Sequence, residues 1–248
     1  MILRRVIDHF RKQEWTAIAI DFVIVVAGVF VGLQVSNWNA ERATRASETV
    51  YLASIVEDLS NDRAEIDGII AVAASRMAAL ELLFQKIGDW RRPSDFPSSR
   101  GAAAIESGAP FEEASGNTIG GELFILNTLD GNRFTYETLI NTGGIGVIRD
   151  KSLVREIQKY YAAVDQADHF EISLEESRIR LIDALQQAGL SAVDALPADA
   201  LAARIRDDKP LVAAAKNYWL YANRQIILMS TLKESARRLI ENIEREKR

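Results

Sequence analysis

The sequence predicts an all-α protein: a single N-terminal transmembrane helix continuing into an elongated antiparallel bundle of three long helices with short side helices. Three observations carry that expectation. Residues 15–36 form one nearly unbroken apolar run. Later segments repeat apolar residues at spacings of three and four, the period of a helix face. Glycine and proline cluster between those segments and are rare within them.

Composition narrows the classes. The 248 residues are 48% hydrophobic, too apolar for a disordered chain. Mean hydropathy is −0.05, too low for several membrane spans. There is no cysteine, which removes disulfides and thiolate metal sites. Arg4, Arg5, Arg11 and Lys12 precede the apolar run. Setting these aside, with Asp8, Glu14 and Asp21, leaves 26 basic and 32 acidic residues, a net of −6. An acidic body is a poor match for nucleic acid.

From Trp15 to Val35 the strongly polar residues are Asp21 and Gln34. At about 1.5 Å per residue the run is roughly 31 Å long, the thickness of a hydrocarbon core. Trp15 and Trp38 flank it as interface anchors. The run is longer than a signal-peptide core and no small-x-small cleavage site follows, so an uncleaved anchor is expected. Four basic residues before it, against Arg42 and Arg45 after it, place residues 1–14 in the cytoplasm and residues 37–248 outside. In a two-membrane bacterium that means an inner-membrane anchor with a periplasmic domain. On a helix, Gly28 and Gly32 lie about 20° to either side of Asp21, and Ala17 about 40° away. Ala17, Asp21, Gly28 and Gly32 thus share one stripe. Small residues there admit a second helix, towards which a polar group would point.

The stretches "AIAIDFVIVVAGVFVGLQVSNWNAER", "YLASIVEDLSNDRAEI" and "YETLINTGGIGVIRDKSLVREIQKYY" resemble a family of bacterial single-pass membrane proteins of unassigned activity. Asp21 matches an acidic position early in that family's span. Asn37, Trp38, Asn39 and Glu41 match its exit motif, from which Ser36 and Ala40 depart. Residues 89–120 and 189–248 add little to the likeness. It implies a location and a helical extramembrane domain, and no activity.

The first long helix is expected over about 41–90, continuing the span. Leu52, Ile55, Leu59, Ile66, Ile70, Ala73, Met77, Leu80, Phe84 and Ile87 form its stripe. Asp62 occupies a core slot between Leu59 and Ile66, so it needs a partner such as an arginine or a water-filled seam. On that reading Asp62→Leu is neutral or stabilising. An irregular insertion, 89–132, follows, with a short helix over 98–109. "ELFILNTLDGNRFTYETL" reads as a hairpin about Asp130-Gly131 or, preferably, as a short helix at 133–142 closed by Gly143. Asp150 caps a second long helix, about 150–188, with Leu153, Ile157, Tyr160, Val164, Leu174, Ile182 and Leu185 inward. Gly189 ends it. A short helix in "PADALAARIRDD" precedes the third, about 210–246, with Leu211, Ala215, Tyr218, Ala222, Met229, Leu232, Leu239 and Ile243 on one face.

Chemistry is sparse. The two histidines are His9 and His169. Asp165 and His169 share a helix face, too small a set for a metal without further ligands. His9 beside the span could ligate a pigment only within a larger complex. "NTGGIGVIRD" lacks the lysine and spacing of a nucleotide loop and reads as helix stop, turn and new cap. Trp219 to Tyr221 and Tyr160-Tyr161 read as core, with an aromatic ligand cleft as the lesser reading. The acid pairs Glu112-Glu113 and Glu175-Glu176 read as solvated surface. No catalytic, cofactor or metal residue is nominated, and no enzyme activity is expected. The expected function is a membrane-anchored interaction or assembly protein, an accessory subunit of a homo-oligomer or larger inner-membrane complex. Its partners would be the lipid bilayer and other transmembrane helices. The alternative is a periplasmic ligand-binding or sensing bundle acting through a partner protein.

Overall fold

The computed structural model describes residues 15–90, 109–113, 118–191, 194 and 196–246, with side chains of the first helix described from Ala19 onward. The segment 1–14 with His9, the expected short helix at 98–109 up to residue 108, and the side chains of Trp15 and Ala17 lie outside the described residues. All regular structure among the described residues is helical: α1 Trp15–Ile87, α2 Ile119–Phe124, α3 Phe134–Asn141, α4 Lys151–Gln187, α5 Ala198–Ile205 and α6 Lys209–Glu246, with a 3₁₀ turn at Gly144–Val147. The chain divides into two compact units, 1–51 and 52–248.

In the first unit α1 is long and apolar enough to cross a membrane, with a mean hydropathy of 2.1 in its most apolar window. Its large apolar side chains, from Ile20 through Val35, are all exposed. Among the described residues none covers them, which is compatible with a helix whose solvent is lipid.

In the second unit the same helix acquires a buried face: Leu52, Ile55, Leu59, Ile66, Ile69, Ala73, Met77, Leu80 and Phe84. Gly88, at φ 80°, stops it. The Asp89 amide donates to the Phe84 carbonyl at 3.0 Å and the Gly88 amide to Gln85 at 3.1 Å, a glycine-closed C-terminus that needs a left-handed residue. Gly189, at φ 70°, closes α4 in the same way, with Leu190 bonded to Leu185 at 2.9 Å. Asp150 caps the start of α4 by accepting from the Ser152 amide at 2.7 Å. The glycine run before it is the stop of α3, the 3₁₀ turn and this cap.

Cross-helix contacts give the directions. Asp67 of α1 pairs with Lys233 of α6, Arg76 bonds Gln225 at 3.2 Å, and Glu81 accepts from Trp219 at 3.0 Å. Partner numbers fall as α1 rises, so α1 and α6 are antiparallel. Between α4 and α6, Glu156 accepts from Asn242 at 2.6 Å, whereas Ser177 and Tyr221 line one cleft, again antiparallel. The helices α1 and α4 therefore run parallel, which corrects the antiparallel expectation for that pair. Asp150, at the start of α4, therefore lies at the end of the second unit opposite Gly88.

The buried face of α4 is Leu153, Ile157, Tyr160, Val164, Ala167, Glu171, Leu174, Ser177, Leu181 and Leu185. Leu181 takes the place expected of Ile182. The expected face of α6 is buried throughout.

Candidate functional site

Two places concentrate polar groups in apolar surroundings: the span stripe and a seam beside residues 125–133.

In the span, Asp21, Gly28 and Gly32 share the face that helix geometry assigns them. A Cβ built on either glycine meets no atom within 4 Å. The side chain of Asp21 is exposed. Beyond the apolar run, the Arg42 guanidinium lies 4.6 Å from the centre of the Trp38 ring, so this exposed tryptophan carries a cation on its face.

The seam is built on an irregular strap, residues 125–133, lying between α2 and α3. Its backbone is bonded by helix side chains. On the amide side, Asn132 donates to Asp62 Oδ1 at 2.8 Å, Asp130 to Glu65 Oε1 at 2.8 Å and Leu129 to Glu171 Oε1 at 2.9 Å. On the carbonyl side, Ile125 accepts from Arg76 Nη2 at 2.8 Å and Asn127 from Gln225 Nε2 at 3.1 Å. The lengths agree with this pairing. From residue 125 to 132 an extended chain spans about 23 Å, and α1 rises about 21 Å between Asp62 and Arg76. The strap is thus an extended segment antiparallel to α1, and side chains supply the bonds a neighbouring strand would supply. The demand is strongest at Leu129, the strap's buried residue, whose amide must find a partner inside the protein.

Asp62 is 1% exposed and also accepts from the Tyr160 hydroxyl at 2.7 Å. Its core slot is real, but its partners are a tyrosine and a backbone amide, not an arginine. That overturns the expectation for Asp62→Leu, because leucine would take the acceptor from the buried Tyr160 hydroxyl and from the part-buried Asn132 amide bond. Burial and the neighbouring Asp62 carboxylate hold the Tyr160 phenol well above its usual range. Arg133, within the strap, is paired with both Asp165 and Asp168.

Arg76, Glu171 and Gln225 were not singled out from the sequence. Each occupies a core slot of its helix, as Asp62 does, and that interruption of the apolar period was the available signal. Arg76 is completely buried, with its guanidinium 5.2 Å from the centre of the Tyr218 ring. Glu171 is 7% exposed, and burial pushes its carboxyl up to about 7.

The remaining candidates fall elsewhere. Asp165 is engaged with Arg133, and His169 Nδ1 lies 2.6 Å from the Asp165 carbonyl of its own helix. Among the described residues no group of three or more acids and histidines is placed to hold a metal ion. Tyr160 and Tyr161 are buried, and Tyr161 stacks on Tyr136 at 4.2 Å. Trp219 is buried against Trp90, while Tyr221 borders an open cleft of about 530 Å³ between α4 and α6. Arg180, Asn217 and Arg224 also line that cleft. The acid pairs have partners beyond solvent: Glu113 accepts from the Ala198 amide at 2.8 Å, at the start of α5, Glu175 accepts from Arg178 Nε at 2.6 Å, and Glu176 pairs with Arg180 at 3.2 Å.

No family model, no curated protein and no solved structure matches the chain.

Proposed function

We propose that the chain is a membrane-anchored interaction or assembly protein, an accessory subunit of a homo-oligomer or of a larger inner-membrane complex. The observation that carries this reading is the open stripe of Asp21, Gly28 and Gly32 on the half of α1 whose large apolar side chains, Ile20 to Val35, are all exposed. A carboxylate in a span is costly against lipid and is relieved by a polar partner on a neighbouring helix. Glycines on the same face let that helix come close enough to offer one. The three long helices of the second unit act on this reading as one bundle, supported by the contacts of α6 with both α1 and α4. The basic residues before the span support a cytoplasmic N-terminus and a periplasmic body. The chain also carries the acidic span position and exit motif of the single-pass family it resembles. No catalysis is assigned.

The test is association in mild detergent. Asp21→Leu, or Gly28→Ile with Gly32→Ile, is expected to release the protein from its membrane partner or from its own copies while insertion is retained. Full association of both variants would sink the docking stripe. Orientation has its own check: Ser191→Cys is expected to react with a membrane-impermeant thiol reagent once only the outer membrane is permeabilised. Labelling that waits for lysis of the inner membrane would reverse the topology.

A second reading, a periplasmic ligand-binding or sensing bundle, is favoured by the cleft between α4 and α6. There two arginines and a tyrosine border a space large enough for a small molecule. A co-purifying small molecule, lost in Arg224→Ala, would favour it over the first.

A further inference from the structure

The strap is held along its amide side by carboxylates, and Glu171 stands in a different electrostatic setting from an exposed acid. It accepts from the Leu129 amide at 2.9 Å. Burial disfavours its charge, and Asp168 of α4, Glu65 of α1 and Asp130 of the strap act in the same direction. The Leu129 amide opposes them. Arg133, the strap's cation, is engaged by Asp165 and Asp168. The buried positions of α6 from Ala222 to Met229 are Ala222, Asn223, Gln225, Ile226 and Met229, none of them charged. Among the described residues, the charged groups acting on Glu171 are thus these three acids, and the strap's cation is already engaged.

We propose that residues 125–133 are a proton-controlled latch, locked across α1 and α4 when Glu171 is protonated and loosened when Glu171 is ionised. Both forms of the carboxyl present an oxygen to the Leu129 amide. They differ in what burial costs them. The neutral acid is buried cheaply, whereas the carboxylate lies among Asp168, Glu65 and Asp130 and gains water only when the strap lifts.

The sign follows from linkage. The carboxyl binds its proton more tightly with the strap down, at about 7, than in water-exposed chain, at its ordinary value of 4.5. Its contribution to closure is complete below that ordinary value and is lost as pH rises through about 7. Alkaline conditions therefore uncover the wall formed by Asp62, Glu65 and Glu171, and acidification covers it.

The experiment is residue-resolved amide hydrogen exchange on the full chain in detergent micelles, reported as protection relative to the intrinsic rate at each pH. Protection at Leu129 is expected to fall about tenfold between pH 6 and pH 8, as one linked proton requires. Amides in the middle of α6 are expected not to follow. Glu171→Gln keeps an oxygen for the Leu129 amide and carries no charge, so its protection is expected to be flat over that range. Glu65→Gln keeps the bond to Asp130 and removes one repelling acid, so the fall is expected to shrink and move to lower pH. Flat protection in the natural protein, or an equal fall in Glu171→Gln, overturns the latch. Should Glu171→Gln fail to fold, an unchanged fall in Glu65→Gln overturns it instead.

Discussion

The two halves of α1 meet the same problem and solve it differently. Asp21 and Asp62 are both carboxylates set in apolar runs of one continuous helix. Asp62 lies in a half whose stripe is covered by the rest of the chain, and it is bonded by Asn132 and Tyr160. Asp21 lies in a half where Phe22, Val23, Ile24 and the apolar residues beyond them all face outward. For Asp62 the chain itself supplies the donors. For Asp21, on the proposed function, they come from another helix or from water near the interface. A polar interruption in an apolar period thus has two meanings, and the burial of its neighbours distinguishes them.

Making the same substitution at both positions sharpens the contrast most. Asp62→Leu strands the Asn132 amide and the Tyr160 hydroxyl and is expected to cost about 3 kcal/mol of body stability. Asp21→Leu is expected to leave that stability unchanged while releasing the partner helix. Denaturant unfolding followed by the tyrosine and tryptophan signals of the body measures both. Equal effects at the two sites would break the comparison.

A smaller effect is expected where the second half closes. Gly189 sits at φ 70° with open space around its missing Cβ, so Gly189→Ala meets no clash and only the cost of a left-handed residue. The expected loss is about 1 kcal/mol in the same unfolding measurement. Gly28→Ala lies within the helix, also in open space, and is expected to leave body stability unmoved. A loss at Gly28 matching that at Gly189 would show that the span half contributes to the folded body.

Much of the helical framework was legible because its causes are local. The stop at Gly88, the stop at Gly189 and the cap at Asp150 each depend on a few adjacent residues, and each lies where turn and capping chemistry puts it. The stripe of α6 was legible because a helix repeats its buried face, and its eight expected residues are all buried. On α4 the same period left Leu181 and Ile182 as neighbours competing for one slot, and packing chose Leu181.

The seam was legible only as an anomaly. Asp62 could be recognised as a polar residue in a core slot, and Arg76, Glu171 and Gln225 offered the same signal. None of the four carries a mark saying what it bonds. Their partners are backbone groups of residues 125–132, and a backbone amide has no sequence signature.

The amino-acid order alone determined that this chain is helical, where most of its helices stop, and that one segment is apolar enough to cross a membrane. These follow from periodicity and from turn and capping chemistry, which act over a few residues. The tertiary structure decided that α1 and α4 run parallel and that an extended strap lies along them. It also decided that four polar core residues are spent on the strap's amides and carbonyls. Those outcomes depend on which distant segments lie side by side, and a backbone without a strand partner pairs with whichever side chains reach it.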